Sequence, residues 1–360
     1  MRFNVKRKEL IKALKAVNAA KGSAFISVNA KGEETEAVLS GFGQNLAIRA
    51  SVPVLVSSAS DDAQMKPLGF NAEILIAALS AADDEEITAD IKENVILVRG
   101  QKLSFKAPAK SGEKPQFAAG ADSIVADKES ASLFPLFVKK AEHATETGNI
   151  PILHSVNVSV YPDRSIRVVC TDGRRLAARG NVNASDPLIS VSIDRVDADA
   201  MLSALGGRVE FLSAGKSFVC ASAGNVFVAA RTLSATFPDW ENVIFSKRKE
   251  AGRLDVQRSD FLAACQLCGL VSDKKSAIAE FSSQGVRMSA SGEYGNAENT
   301  VAVKGQIACG TVTQKFDMTF VSDALRSLSD ENVTVSVAPS QPIVVTDSSG
   351  FEMIMPQRIQ

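Results

Sequence analysis

Three lysines carry the clearest chemistry in this sequence. Lys8, Lys12 and Lys15 fall at i, i+4 and i+7, so a helix over this segment sets all three ammoniums on one face. Leu10, Ile11, Leu14 and Val17 form the apolar stripe of the same helix on a different face. Residues 1–21 also hold Arg2, Lys6, Arg7 and Lys21 against Glu9 alone, whereas 83–86 read Asp-Asp-Glu-Glu. The net charge of the chain is −1, so positive charge is segregated rather than abundant. Such a face can hold phosphates by charge without reading bases, although an ordinary solvated face has the same spacing.

Other reactive side chains point away from catalysis. Cysteines stand at 170, 220, 265, 268 and 309, and only Cys265 and Cys268 are close. They fall in an apolar helical stretch with no second ligand pair and no nearby histidine. Structural zinc needs four ligands, so these read as small buried side chains and no metal is expected. His143 and His154 are the only histidines; His154 lies in a strand-like run over 152–160. Neither has an evident serine or cysteine partner, as a hydrolase would need. The chain has no Walker loop, no GxGxxG after a strand, no HExxH and no GxSxG. No enzyme activity and no cofactor are expected.

The elements that must position the lysines occur three times. A strand running into an amphipathic helix spans 2–17, 123–140 and 253–268. Counted from Phe3 to Ile124 to Leu254, the offsets are 121 and 130 residues. A second strand-end and helix recurs at 68–80, 191–205 and 318–329, where Phe70, Ile193 and Phe320 are 123 and 127 apart. Two landmarks with one domain-sized period predict three like domains, at 1–120, 121–250 and 251–360. Polar linkers are expected over 110–121 and 246–252. After each second helix come alternating runs, at 86–107, 209–230 and 332–355, which read as half-buried antiparallel strands. The expected class is α+β, with two helices on antiparallel sheets in each repeat. Pro135 places the start of the middle repeat's first helix near itself, because proline is tolerated in a first turn.

Bulk properties fit a globular chain: 360 residues, 45% hydrophobic and 22% charged. No window reaches the roughly 18 to 20 apolar residues of a membrane span. Residues 1–8 are basic without a following apolar core, so no signal peptide is read there and a cytoplasmic location is expected.

Two motifs and the chain end remain. Thr171-Asp172-Gly173-Arg174-Arg175-Leu176-Ala177 follows a strand over 166–170, and Asp-Gly is a turn signal. Thr236-Phe237-Pro238-Asp239-Trp240 closes the second repeat. The last residues include Met353-Ile354-Met355-Pro356-Gln357-Arg358-Ile359. With the threefold repeat, these resemble the bacterial DNA polymerase III β subunit, the sliding clamp. That family carries a TDG-[HY]-RLA strand-turn, an FPD-aromatic segment and an end close to MPMRL. The resemblance runs the whole length, with the motifs in the family's order.

It implies two chains closed head to tail into a ring, whose helices line a hole around double-stranded DNA held without sequence preference. Lys12, Lys15, Lys139, Lys140 and Arg195 are then the candidates for facing DNA. It also implies a site for short linear peptides of the replicative polymerase, the clamp loader and repair or translesion polymerases. Carried over by motif, that site consists of Leu153, Thr171, Gly173, Arg174, Arg175 and Leu176, then Pro238 and Val243. From the chain end it takes Ser340, Pro342, Met353, Ile354, Met355, Pro356, Gln357 and Arg358. Homodimer closure would pair Leu103 and Phe105 with Leu270 and Val271 of the other chain. The implied place is the cytoplasm, at the nucleoid, with no membrane partner.

The chain departs from the family pattern in three places. Residues 19–26 lack the usual arginine and Leu-Pro-Ile-Leu string, although 150–153 read Ile-Pro-Ile-Leu. Position 174 is arginine where the family favours histidine or tyrosine. The helix expected over 71–79 offers Glu73 and no lysine. The first helix of the third repeat is weakly charged, with Arg258 and Asp260 only, which leaves a second reading open: a clamp-fold protein that binds peptides as a regulator or decoy and does not encircle DNA.

Overall fold

A computed structural model of the chain describes residues 1–359 except 32–33, 59–66, 93, 114, 116–121, 149, 182–185, 243–247 and 273. The first third runs β1 (Arg2–Lys6), α1 (Arg7–Asn18), β2 (Ser23–Lys31), β3 (Glu34–Phe42), β4 (Leu46–Pro53), β5 (Leu55–Ser58), β6 (Leu68–Phe70), α2 (Ala72–Ser80), β7 (Glu86–Lys92), β8 (Val95–Arg99) and β9 (Ser104–Ser111). The middle third follows with β10 (Ile124–Val125), α3 (Lys128–Ala141), a 3-10 turn at Glu142–Ala144, β11 (Ser155–Val160), β12 (Ile166–Thr171), β13 (Arg175–Gly180), β14 (Ile189–Asp194), α4 (Arg195–Ala204), β15 (Phe211–Ala214), β16 (Phe218–Ala223) and β17 (Val226–Arg231). The last third holds β18 (Gly252–Gln257), α5 (Arg258–Val271), β19 (Ser276–Ser282), β20 (Gly285–Gly292), β21 (Gly295–Val301), β22 (Val303–Ile307), β23 (Thr311–Asp317), α6 (Met318–Ser327), β24 (Asn332–Val337), β25 (Ile343–Asp347) and β26 (Gly350–Ile354).

Both repeated landmarks are present as strand-to-helix junctions: β1–α1, β10–α3 and β18–α5, then β6–α2, β14–α4 and β23–α6. The first and third copies share a further device. Arg7, the first residue of α1, donates from Nη1 to Leu79 O (2.8 Å) and from Nε to Asp84 O. Arg258, the first residue of α5, donates to Leu325 O (3.1 Å) and Asp330 O (2.7 Å). In each copy one guanidinium satisfies carbonyls at the end of the second helix and just beyond it, where intrahelical donors run out. Those two arginines are therefore occupied internally.

The chain divides into two compact units, Met1–Pro135 with Val196–Leu233, and Leu136–Arg195 with Ser234–Gln360. The first holds a 13-stranded sheet in the order β10-β15-β16-β17-β4-β3-β2-β6-β9-β8-β7-β1-β5. Against it α1 packs with Leu10, Ala13, Leu14, Ala16 and Val17 buried, while Lys8, Lys12 and Lys15 are exposed. The second unit holds a nine-stranded sheet, β14-β11-β12-β13-β26-β25-β24-β18-β22, and a four-stranded one, β21-β20-β19-β23. Its main core joins α5 and α6 to these strands through Phe261, Phe281, Phe316, Leu325 and Val335.

Two expectations are corrected. The helix of the middle repeat starts at Lys128, not near Pro135, which sits inside α3. Asp127 sets the earlier start: its carboxylate accepts from the Ser130 amide (2.9 Å) and the Ser130 hydroxyl (2.7 Å), a capping contact stronger than the proline signal. His154 precedes its strand, since β11 begins at Ser155, and its Nδ1 lies 3.3 Å from Asp194 Oδ2. The expected linkers at 110–121 and 246–252 fall partly outside the described residues.

Candidate functional site

The Thr171–Ala177 motif forms the turn between β12 and β13. Gly173 adopts φ +83°, the left-handed conformation that glycine enters without cost. Asp172 Oδ1 accepts from the amides of Arg174 (2.8 Å) and Arg175 (2.9 Å), and Thr171 Oγ1 donates to Arg175 O (2.7 Å). The motif thus builds its own turn before it meets any partner. Arg174 is exposed, with its guanidinium 5.3 Å from the Phe320 ring centre. Arg175 turns towards α6: it lies 4.3 Å from the same ring and pairs with Asp172 (3.2 Å) and Asp323 (3.0 Å). Its charge is engaged within the fold.

Strand β13 pairs antiparallel with β26, in the register Arg175↔Ile354, Leu176↔Met353, Ala177↔Glu352, Ala178↔Phe351 and Arg179↔Gly350. Alternation then sorts the side chains onto two faces. One face gathers Val169, Leu176, Ala178, Val344, Phe351 and Met353, all buried, with Phe237 and Trp240 packed over them. Trp240 meets Phe351 at 5.6 Å between ring centres, tilted 49°. The buried Arg167 guanidinium lies 5.3 Å from the Trp240 ring and 4.9 Å from Tyr161, and pairs with Glu241. Burial pushes the Tyr161 hydroxyl up to about 12, so it stays protonated at neutral pH.

On the opposite face, Ile354 is fully buried in the α5/α6 core. That face also buries a charge pair: Arg179 is 0% and Glu352 1% exposed, and the two are joined directly. Arg179 donates further to Ala178 O (2.7 Å), Phe351 O (3.1 Å) and Ser327 Oγ (2.6 Å). His143 reaches the other carboxylate oxygen, with Nε2 3.2 Å from Glu352 Oε2. Gly350 permits the close approach, because a Cβ there would stand 2.1 Å from Ala178 O.

The remaining site residues are placed as follows. Leu153 is half-buried, Thr171 buried and Pro238 exposed. Val243 lies outside the described residues. Ser340 is exposed at φ +56°, and Pro342 O accepts from Arg248 Nε at 3.3 Å. Met355 is 39% exposed, and its amide donates to Arg174 O (2.9 Å), extending the strand pairing by one bond. Pro356 is half-buried; Gln357 bridges to Lys315, and Arg358 is exposed. The structure thus brings Leu176 and Met353 together on one face with the turn and Met355 beside them. Sequence reasoning missed Val169, Ala178, Val344, Phe351 and Trp240. Trp240 had a signal, as the aromatic of the Phe-Pro-Asp segment; the strand residues had none without the register.

Of the basic candidates, Lys12, Lys15 and Lys139 are exposed and make no ion pair among the described residues. Lys140 donates to Ser329 Oγ, and Arg195 lies 3.7 Å from Glu142. At the candidate dimer positions, Leu103 and Phe105 are half-buried, the latter on β9, whose 104–108 stretch pairs with β8 alone among the described residues. Leu270 is 76% exposed at the end of α5, with Val271 half-buried. Among the described residues, β21 pairs with β20 alone and lies at an edge of its sheet. Four cysteines are buried and Cys309 is exposed; burial pushes the Cys170, Cys220 and Cys265 thiols up, so they stay unreactive. The described residues contain no group of three or more His, Cys, Asp or Glu placed to hold a metal, and no helix long and apolar enough to cross a membrane.

Among the described residues, six α-helices pack on antiparallel sheets and both strand–helix landmarks occur three times, the architecture of the clamp fold. In particular, the chain has the fold of solved DNA polymerase III β subunits along its whole length. The structure from Pseudomonas aeruginosa matches with a TM-score of 0.83 at 17% identity, covering 100% of both chains. A putative β subunit from Eubacterium rectale gives 0.83 at 15%, and the β subunit of Thermotoga maritima 0.79 at 15%, each with 100% of both chains covered. Another Pseudomonas aeruginosa clamp structure, at TM-score 0.81 and 17% identity, is bound to griselimycin. No family model matches the sequence, and no curated protein matches it.

Proposed function

We propose that the chain is a sliding clamp: two copies close head to tail around duplex DNA, and each captures short peptides of a polymerase or loader on the surface that half-buried Phe237 and Trp240 and exposed Met355 present beside the β13–β26 face. The observation that carries this reading is the full-length clamp fold combined with an apolar face where Leu176 and Met353 meet under Phe237 and Trp240. Two further features support it. Exposed Lys12, Lys15 and Lys139 supply charge that holds phosphates without reading bases. The one-sided stretch of β9 and the edge strand β21 are the kind of exposed strand that subunit pairing covers. The sequence-derived domains, 1–120, 121–250 and 251–360, belong to this proposal as its six-domain ring.

The test is topological. The protein is loaded onto a nicked circular plasmid with a clamp loader, and the plasmid is then linearised. A ring stays on the circle and slides off free ends. Equal retention on both forms, or a monomer by light scattering, overturns the encircling reading. In the same assay, Lys12→Ala with Lys15→Ala should shorten retention and lower the salt dependence by about two phosphate contacts.

A further inference from the structure

The buried charges beneath the β13–β26 face have a cost that the fold did not have to accept. Arg179 and Glu352 are removed from water, and Arg179 Nε has no hydrogen-bond partner among the described residues. A buried pair of this kind is weak evidence for stability, since well-packed apolar residues often do as well or better. Its physical use is to distinguish one arrangement from its near neighbours.

The arrangement at stake is the register of two strands 171 residues apart, counted from Arg179 to Gly350. A slip of β26 by one residue turns that strand over, sending Met353 into the core and Glu352 onto the apolar face, away from Arg179. Alternation of apolar and polar residues already opposes that slip. It does not oppose a slip by two, which keeps each side chain on its face but moves the strands by about 7 Å. Only a specific cross-strand contact detects it. Arg179 and Glu352 sit diagonally, opposite Gly350 and Ala177. Ser327 from α6 touches both charges, at 2.6 Å from Arg179 Nη2 and 2.7 Å from Glu352 Oε1, and His143 holds the second carboxylate oxygen. A two-residue slip would leave a guanidinium and a carboxylate buried apart.

We propose that Arg179 and Glu352 are positioning residues, a buried register lock that fixes Leu176 against Met353 and so shapes the peptide-binding face. The proposal rests on the peptide-capture reading above for its functional consequence. The lock touches no peptide itself; it acts through the strands on its other side.

The experiment uses the full chain and a short synthetic peptide carrying a leucine and a phenylalanine, with fluorescence anisotropy, thermal melting and hydrogen exchange as readouts. The double variant Arg179→Met with Glu352→Met should melt at or above the wild-type temperature, yet bind the peptide about tenfold or more weakly. Its amides at 175–179 and 351–354 should lose protection relative to those of β11 and β12. Arg179→Lys, which keeps the charge and should fold even if the double variant does not, should retain more affinity than Arg179→Met alone. Wild-type affinity together with wild-type protection in the double variant overturns the lock. A wild-type chain that does not bind the peptide sinks the peptide-capture reading instead, and the exchange pattern still decides the lock by itself.

Discussion

Among the described residues, strands from different repeats pair at two junctions, which are built inside out relative to each other. In the first unit, β4 pairs with β17 in the register Leu46↔Ala230, Ile48↔Val228 and Ala50↔Val226, all buried and aliphatic or alanine. Its other face carries Arg49 over Phe227, 6.0 Å from the ring centre, in a groove of about 490 Å³ with Asn29, Ser51 and Asn225. In the second unit, β13 and β26 bury Arg179 and Glu352 on one face and carry an apolar patch under Trp240 on the other. The same five-residue pairing therefore serves two purposes. Aliphatic packing suffices where strands only need to be joined; a buried ion pair is tolerable where the opposite face must stay in one geometry.

This contrast can be broken by substitution. The largest effect is expected from Glu352→Ala, which strands the Arg179 charge and should cost about 3–5 kcal/mol in urea unfolding; a loss below about 1 kcal/mol would mean that the pair is hydrated and the contrast is false. Ile48→Ala at the aliphatic junction should cost about 3 kcal/mol, with no change in peptide affinity. Trp240→Ala, at a half-buried position, should cost about 2 kcal/mol, and anisotropy should show weaker peptide binding. If peptide affinity follows Ile48→Ala rather than Trp240→Ala, the roles of the two junctions are reversed.

A pH effect should separate the hairpin that supports β26 from the rest of the fold. Burial alone would raise the Asp347 carboxyl, but hydrogen bonds from Ser349, Ser329 and Asp330 outweigh it and hold the group below its ordinary value. A depressed carboxyl adds stability above its unfolded value, near pH 4, and loses it as pH falls through the folded value. Melting temperature should therefore drop as pH falls below about 4, and Asp347→Asn should flatten that drop. The smallest effect is expected from Arg49→Ala, under about 1 kcal/mol, because its ring contact is long and solvated. A larger loss would show that the polar groove contributes to the first junction after all.

How much of this could be read from sequence depends on the range of the interactions. The lysine face and apolar stripe of α1 repeat within one helix, and the structure exposes Lys8, Lys12 and Lys15 while burying Leu10, Leu14 and Val17. The turn at Asp172-Gly173 is equally local. By contrast, Arg179 meets Glu352 only because two strands from distant repeats pair, and no periodicity encodes that register. The motif assigns Arg175 to the peptide site, but nothing local tells that Asp323, 148 residues away, engages its charge. Pro135 shows the opposite limit: a local signal was overridden by another local one, the Asp127 cap.

The cysteine inventory has a practical consequence. Four thiols lie in the interior and Cys309 alone is exposed, in the turn between β22 and β23. The unaltered chain should take up one equivalent of a maleimide dye under native conditions. A ring of two chains would then carry one dye on each, and energy transfer between them would report opening and closing without any engineered substitution.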